Sequence, residues 1–230
     1  MTTTANTVLI LRTCRADMTA HDDFVWPESG PVEAPDWDPT PKCGHGLHGL
    51  LWGCGDASSI TYPAGRWLVV RAKAADVVDL GGKVKFRRGQ VVVVGTRDEA
   101  IAYLDAHGAA DKPVVYATRT AGDRGTATAG DGGTATAGDG GTATAGYSGT
   151  ATAGYSGTAT AGDHGTAMAG YGGTAMAGDG GTATAGDGGQ IRIGWFDGRR
   201  YRTAVGYVGE DGIKANTPYR VVDGKLTEAK

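Results

Sequence analysis

A short segment rich in cysteine and histidine contains the side chains best suited to metal chemistry. It reads Cys-Gly-His-Gly-Leu-His from Cys43 to His48, and a further cysteine, Cys54, follows. Thiolate sulfur and imidazole nitrogen are preferred zinc ligands, so Cys43, His45, His48 and Cys54 form a candidate zinc site. The spacing matches no closed zinc module. The alternative interpretation is a tight glycine loop that leads into a partly buried strand, GLHGLLWG.

Arg12 lies in VLILRT, which the sequence predicts as the first strand. Together with the later Gly-Leu-His-Gly segment and the strands after it, this layout is similar to that of ADP-ribosyltransferases, which implies an enzyme in this region. The chain departs from that layout because no glutamate follows a late strand, and Glu99 begins a helix instead. An enzyme-like N-terminal domain, ADP-ribosyltransferase-like or zinc-dependent, is therefore the alternative to a non-enzymatic protein.

The elements around these residues predict a small α/β domain over residues 1–112. Strands are expected at VLILRT, at WLVVRA and, once or twice, in KVKFRRGQVVVVG, and a short amphipathic helix at DEAIAYLDAHG. The stretch between Pro27 and Gly55 is expected to be a long loop. Loops of that length inside a compact domain are usually functional or tied down.

A tandem repeat with a period of eight residues occupies the middle of the chain, from Thr118 to Gly189. Positions 1, 4, 5 and 8 of each octad are always Thr, Ala, Gly and Gly. Thr-Ala-Thr-Ala predicts a four-residue strand with alternating side chains, and the glycine-rich half predicts a turn. A helix is excluded, because each glycine inside one costs about 1 kcal/mol relative to alanine. A disordered linker would not need to keep this phase, so residues 113–189 are expected to form a β-solenoid.

Two octads per coil give two strands and two corners, so the expected coil has 16 residues. Residues 16 apart then stack, which places Tyr155 on Tyr171 and Asp123 in one column with Asp139. Each octad offers at most one carboxylate, and some offer Tyr instead, which favours solvated corners over calcium sites.

Alanine is expected to face inward and threonine outward, because buried hydroxyl groups need hydrogen-bond partners. Ile191 and Ile193 continue the alanine phase and are expected to be buried. Three residues disagree with the pattern. Arg119 occupies an alanine position, and Met168 and Met176 occupy threonine positions eight residues apart, from which they could meet across a core.

The last segment, residues 190–230, is expected to form a β-hairpin cap. Asp197-Gly198 and Asp211-Gly212 are hairpin turn signals. The end of a solenoid exposes unpaired strand edges, and both flanking regions are expected to cover them.

Composition excludes several classes of function. The chain has 22 basic and 25 acidic side chains, which gives no electrostatic basis for binding nucleic acid or an anionic membrane. Neither a signal peptide nor a membrane span is recognisable. Three cysteines do not make a disulfide framework, so a reducing, cytoplasmic location is expected.

Octads such as AGYSGTAT and AGYGGTAM resemble the repeats of bacterial ice-nucleation proteins. The resemblance implies that the Thr-x-Thr rows order water and that the tyrosines support side-by-side pairing. The corresponding residues are Thr126, Thr128, Thr142, Thr144, Thr158 and Thr160 for the rows, and Tyr147, Tyr155 and Tyr171 for the pairing. The present array is much shorter, and aspartate replaces most of the tyrosines.

The whole layout also resembles uncharacterised phage and prophage proteins, on the motifs CGHGLHG and AVGYVGEDGIKANTPYR. That resemblance implies no activity. The sequence therefore predicts a non-enzymatic structural or interaction protein that associates with itself as a dimer or filament, with a water-ordering or ice-binding surface as one version. Zinc is the one cofactor considered.

Overall fold

The computed structural model describes residues 6–229 of the chain. Within them the chain forms two compact units, and the division falls between Val114 and Val115. The first unit contains an antiparallel sheet and the second contains the solenoid.

The first unit is one antiparallel sheet with a single α-helix in its described part, in the strand order β2-β7-β4-β1-β3-β6-β5. Helix α1 spans Arg97–Leu104, and Thr96 and Glu99 form a capping box at its start. Single turns of tighter helix occur at His21–Asp23, Ala57–Ser59 and Ala74–Asp76, and an irregular turn, Asp105–Ala109, follows α1. The strands are β1 (Thr7–Cys14), β2 (Gly30–Glu33), β3 (Leu47–Leu51), β4 (Arg66–Lys73), β5 (Val77–Asp79), β6 (Val84–Phe86) and β7 (Arg88–Gly95).

The strands and the helix expected from the apolar runs are confirmed, but the long loop between Pro27 and Gly55 is wrong. That stretch contains β2 and β3, and β3 pairs with β1 near the centre of the sheet. The partly buried strand that GLHGLLWG predicts is confirmed as β3. Glycine is depleted in strands, but here a Cβ atom at position 49 would lie 2.5 Å from Cγ2 of Ile10. Close packing of β3 against β1 therefore requires glycine at this position.

The second unit is a β-solenoid with 16-residue coils, as predicted. Parallel in-register pairs join residues 16 apart, so Thr134 lies between Thr118 and Thr150. The strands alternate between two sheets, which we call sheet 1 and sheet 2. Sheet 1 contains β8 (Thr118–Ala121), β10 (Thr134–Ala137), β12 (Thr150–Ala153), β14 (Thr166–Ala169) and β16 (Thr182–Ala185). Sheet 2 contains β9 (Thr126–Thr128), β11 (Thr142–Ala145), β13 (Thr158–Ala161), β15 (Thr174–Ala177) and β17 (Gln190–Phe196).

The solenoid core is built from alanine, and threonine faces outward, as expected. Ala135, Ala143 and Ala151 are fully buried, while the threonines beside them are half-buried. Ile191 and Ile193 extend the alanine columns and are buried as predicted. Because β17 supplies the second strand of a last coil, the solenoid has about five coils.

The two methionines do not meet across the core. Met168 pairs with Thr152 and Thr184 in sheet 1, whereas Met176 pairs with Thr160 in sheet 2. Both occupy outward positions, and Met168 is 38% exposed. A separation of eight residues changes the sheet but not the side of the strand, so both side chains point away from the interior.

The corners use their glycines in two ways. The backbone adopts positive φ at position 7 of every octad, whether that residue is glycine, as at Gly140 (φ 65°), or serine, as at Ser148 (φ 51°). The invariant glycines at positions 5 and 8 serve close packing. A Cβ atom on Gly157 would lie 2.8 Å from Cβ of Ala153 and 3.0 Å from the carbonyl oxygen of Gly141 in the coil before.

Hydrogen bonds between coils connect the corners as well as the strands. The backbone N–H of Ser148 donates to the carbonyl of Asp163 in the next coil, at 2.9 Å. The same bond occurs before the repeat starts, because Tyr116 (φ 57°) donates to the carbonyl of Asp131 at 2.9 Å. The solenoid geometry therefore begins one corner earlier than the sequence repeat.

Aspartate at position 6 binds the coil that follows. Oδ1 of Asp139 accepts from the backbone N–H of Tyr155 at 2.8 Å, and Oδ1 of Asp163 accepts from that of Asp179 at 2.9 Å. Asp123 and Asp139 share a column, as predicted, and Oδ1 of Asp123 accepts from the N–H of Asp139 at 3.1 Å. The carboxylates of Asp123, Asp139 and Asp163 are therefore structural acceptors.

Antiparallel strands continue both sheets at the C-terminal end, which confirms the predicted strand cap. Strand β18 (Tyr201–Tyr207) pairs with β17 through a turn at Asp197-Gly198. Strand β19 (Tyr219–Val222) pairs with β16 and with β20 (Lys225–Glu228). The hairpin expected at Asp211-Gly212 is wrong, because that turn lies in a connection between β18 and β19. The second hairpin has its turn at Asp223-Gly224, and its two strands, β19 and β20, pair on either side of that turn.

Replacing Asp139 by alanine tests the corner carboxylates. It leaves the N–H of Tyr155 without its acceptor, so the free energy of unfolding should fall by about 1 kcal/mol. Asp139→Asn keeps an acceptor oxygen and should cost less. Asp187→Ala is the matched control, since within residues 6–229 the Asp187 carboxylate accepts no such bond. Urea unfolding of the four proteins provides the comparison, and equal losses at positions 139 and 187 would contradict the structural role.

Candidate functional site

Two grids of threonine side chains cover the outward surfaces of the solenoid. The first threonine face lies on sheet 2 and contains Thr126, Thr128, Thr142, Thr144, Thr158, Thr160 and Thr174. Pairs on one strand are about 7 Å apart, and neighbouring strands are about 4.8 Å apart. All six predicted threonines therefore lie together on one face, three strands deep, until Met176 interrupts one column.

A second threonine face, on sheet 1, was not singled out from the sequence. Its members are Thr118, Thr120, Thr134, Thr136, Thr150, Thr152, Thr166, Thr182 and Thr184. Met168 replaces one threonine on this face. Successive octads belong to opposite sheets, and this alternation was the signal available for finding the second face.

The three predicted tyrosines divide between the two edges of the solenoid. Tyr155 and Tyr171 share a column, and their rings stack with centroids 5.3 Å apart and 8° between planes. This confirms the predicted stacking. Tyr147 lies on the opposite edge, where it meets the ring of His164 edge-on at 5.4 Å. Each tyrosine is about half exposed, at 53–56%.

A cleft of about 530 Å³ in the first unit collects three of the four candidate zinc ligands. Cys43, His45 and His48 line it. Cys54 lies elsewhere, where its backbone forms an isolated antiparallel β-bridge with Val114. Nδ1 of His45 lies 3.3 Å from a carboxylate oxygen of Asp36. Among residues 6–229 no three His, Cys, Asp or Glu side chains are grouped as a metal ion would need. Zinc stays a prediction from the sequence.

Arg12 and Trp26 form the inner wall of this cleft. Arg12 Nη1 donates to the carbonyl of His48 at 3.2 Å, and its Nε donates to the carbonyl of Thr13. The guanidinium carbon lies 4.6 Å from the centroid of the Trp26 ring. Desolvation lowers the pKa of Arg12 to about 10, so the side chain stays charged at neutral pH.

His48 is held neutral in this environment. Desolvation is the main cause, and the nearby charges of Lys83, Arg12 and Lys85 add to it, so the pKa of His48 falls to about 4. Its Nε2 atom is buried and has no hydrogen-bond partner in the described part of the chain. The cleft therefore combines a charged guanidinium with a neutral imidazole.

Lys85 is the residue of this region that the sequence did not indicate. It is only 1% exposed, and its Nζ donates to the carbonyls of Lys42 and Gly44 at 2.9 and 3.3 Å. Its ammonium also lies 5.7 Å from the centroid of the Trp37 ring. Alternation in Val-Lys-Phe would place lysine on a solvated face, so only the fold shows that Lys85 fixes the glycine loop that borders the cleft.

Known proteins resemble the two units separately. Residues 8–102, which lie in the first unit, match the model of a family described as a domain of unknown function, DUF7666. The repeat region is similar to ice nucleation proteins, which confirms the resemblance expected from the octads. The resemblance to phage and prophage proteins stays a prediction.

Three relatives show the extent of the match. The ice nucleation protein of Pseudomonas fluorescens is 43% identical over 100 residues, which are 42% of this chain and 8% of the relative. That of Pseudomonas syringae is 41% identical over 106 residues, 45% of this chain and 9% of the relative. That of Xanthomonas campestris pv. translucens is 38% identical over 103 residues, which are 44% of this chain and 7% of the relative. The matched part thus spans less than a tenth of each relative.

No solved structure is significantly similar to this chain. Across residues 6–229, every helix is too short or too polar to cross a lipid bilayer.

Stability should depend on pH through His48. Its pKa is about 4 in the folded chain and about 6.5 when unfolded, so the unfolded state binds the proton first as pH falls. Stability present above pH 6.5 should decline as the pH falls toward 4. His48→Gln should remove much of this decline. Urea unfolding followed by tryptophan fluorescence at pH 7 and 4.5 measures it, and an identical decline in the variant would contradict the assignment.

Proposed function

We propose that the solenoid is a water-ordering surface that binds ice, and that the chain is a structural protein without a catalytic role for this unit. The observation that carries the proposal is the regular grid of half-buried threonines on each sheet. The similarity of the repeat to ice nucleation proteins supports it.

The grid suits ordered water because its spacing is set by the backbone. Every Thr-x-Thr strand pairs in register with identical strands, so hydroxyl groups recur at about 7 Å along a strand and about 4.8 Å between strands. Each threonine also offers a methyl group beside its hydroxyl. Half-burial between neighbouring rows restricts the side chains, which lowers the entropy that would be lost on binding a solid surface.

The size of the array limits what it does. About five coils form a short patch, whereas the relatives are more than ten times longer than the matched part. A short patch adsorbs to existing ice, while an ordered layer large enough to start a crystal needs a more extended template. We therefore expect binding to ice without strong nucleation.

The free thiols of Cys14, Cys43 and Cys54 fit the reducing, cytoplasmic location expected from the sequence.

Lysine substitutions on the threonine faces test ice binding. Thr144→Lys with Thr160→Lys alters the first face, and Thr136→Lys with Thr152→Lys alters the second. Each pair places two large charged side chains in the grid, so incorporation of protein into a slowly growing ice front should fall, and the four changes together should abolish it. The unfolding midpoint should change little, because residue types at an outward strand position differ in their contribution to stability by about 1 kcal/mol or less.

The control places the same charges off the faces. Ser148→Lys with Ser156→Lys lies on the exposed corners, at the position where Arg124 already occurs. This variant should enter ice as the unaltered protein does. Exclusion of the unaltered protein from the ice front, or an equal loss in the corner variant, would contradict ice binding by the faces.

Self-association is the second part of the proposal, and the stacked rings of Tyr155 and Tyr171 support it. Each ring is more than half exposed although it already contacts its neighbour. A second copy related by a two-fold axis would use the same column on both partners. Aromatic pairs stabilise an interface by about 0.5–1.5 kcal/mol each beyond the area they bury.

Sedimentation velocity over a range of concentrations tests the tyrosine column. Tyr155→Ala with Tyr171→Ala should weaken the dimer by about tenfold or more, since each partner loses both rings. Tyr147→Ala, on the opposite edge, should leave the dimer intact. The idea would be falsified if the unaltered protein were monomeric throughout, or if the Tyr147 variant lost the dimer equally.

A further inference from the structure

The cleft of the first unit contains a cation that the protein itself does not neutralise. Arg12 forms no ion pair with any carboxylate whose side chain the structure describes, and besides desolvation the pKa of Arg12 is affected by Cys14 and Tyr62. Its hydrogen bonds go to two backbone carbonyls, from Nε and Nη1. Among the described residues, Nη2 makes no hydrogen bond.

A buried charge without a counter-charge is unfavourable and is retained mostly where something binds it. Lys85 shows the contrast within the same unit. Its buried ammonium donates to two carbonyls and thereby holds the glycine loop, which is a structural reason for its charge. Arg12 extends from β1, a central strand of the sheet, and no comparable structural reason for its charge is found among the described residues.

Two further polar atoms beside Arg12 have no partner. Nε1 of Trp26 and Nε2 of His48 are both buried without a hydrogen bond in the described part of the chain. Trp26 is 1% exposed, and its ring lies beneath the Arg12 guanidinium. Buried donors and acceptors are nearly always satisfied in folded proteins. Two unsatisfied polar atoms beside the Arg12 guanidinium therefore point to a ligand.

The charges around the cleft select an anion. Arg12 and Lys83 line it, and His48 is neutral. The carboxylate of Asp36 is already engaged, since one oxygen accepts from the N–H of Gly46 and the other lies beside His45. The planar guanidinium presents paired N–H groups that match two oxygens of a carboxylate or phosphate.

We propose that this cleft binds a small organic oxyanion, a carboxylate or phosphate carried on an apolar or planar body, through the guanidinium of Arg12. The rings of Phe24 and Trp26, which meet edge-on at 5.4 Å, supply the apolar part of the wall. A cleft of about 530 Å³ has the volume of an ordinary small-molecule site. The proposal is independent of the solenoid and its threonine faces.

Titration of the ¹⁵N-labelled full chain with matched probes tests the site. The probes are phenyl phosphate and benzoate, which differ in the anionic group, and benzamide, which is neutral. The indole N–H resonance of Trp26, assigned with Trp26→Phe, is the readout. At least one anion should shift it saturably and benzamide should not. The stronger anion identifies the phosphate or the carboxylate as the group recognised.

Variants at Arg12 complete the test. Arg12→Gln should weaken binding of the anion by at least about tenfold, because a hydrogen bond to a charged group is lost. Arg12→Lys keeps the charge but lacks the paired N–H donors of the guanidinium, so it should weaken binding of the anion by a similar factor. This variant keeps the test valid if Arg12→Gln does not fold. Arg71→Gln is the control, since Arg71 lies outside this cleft and donates to the Tyr103 hydroxyl. Absence of a saturable shift with both anions, or unchanged affinity in Arg12→Lys, would overturn the proposal.

Discussion

The stacking of one backbone corner directly on another is the contact on which the solenoid depends. Glycines at positions 5 and 8 allow that approach, since a Cβ at Gly157 would meet the carbonyl of Gly141 in the coil before. Once the corners are in contact, the strands between them pair in register, and alanine fills an interior too narrow for larger side chains. The outward threonines inherit their spacing from the same contact, so the surface is as regular as the backbone beneath it.

The fold of this unit could be predicted because the repeat presents the same information many times. The coil length, the alanine interior, the stacked Tyr155 and Tyr171 and the burial of Ile191 all follow from one octad and its phase. The prediction that failed within the repeat depends on counting octads in pairs. Met176 lies one octad from Met168, and an odd number of octads changes the sheet, so the two side chains do not meet.

The first unit was less predictable because each of its features occurs once and depends on tertiary contacts. Lys85, for example, is buried although it is charged, because its ammonium donates to two backbone carbonyls of a distant loop. The Cys-His segment did indicate the part of the first unit that contains a cleft, since Cys43 and His48 line it. Arg12 has no carboxylate partner among the described side chains, and this could not be predicted from the sequence, because ion pairs between distant residues depend on tertiary contacts.

The pairing of octads also constrains how such a gene changes. Insertion or loss of sixteen codons adds or removes one whole coil and leaves the cap strands β18 and β19 on the sheets they now extend. A change of eight codons would interchange the sheets for every strand that follows, and would leave β18 and β19 against the opposite sheets. Unequal recombination within the repeat should therefore be tolerated only in double steps, and natural length variants should differ by whole coils.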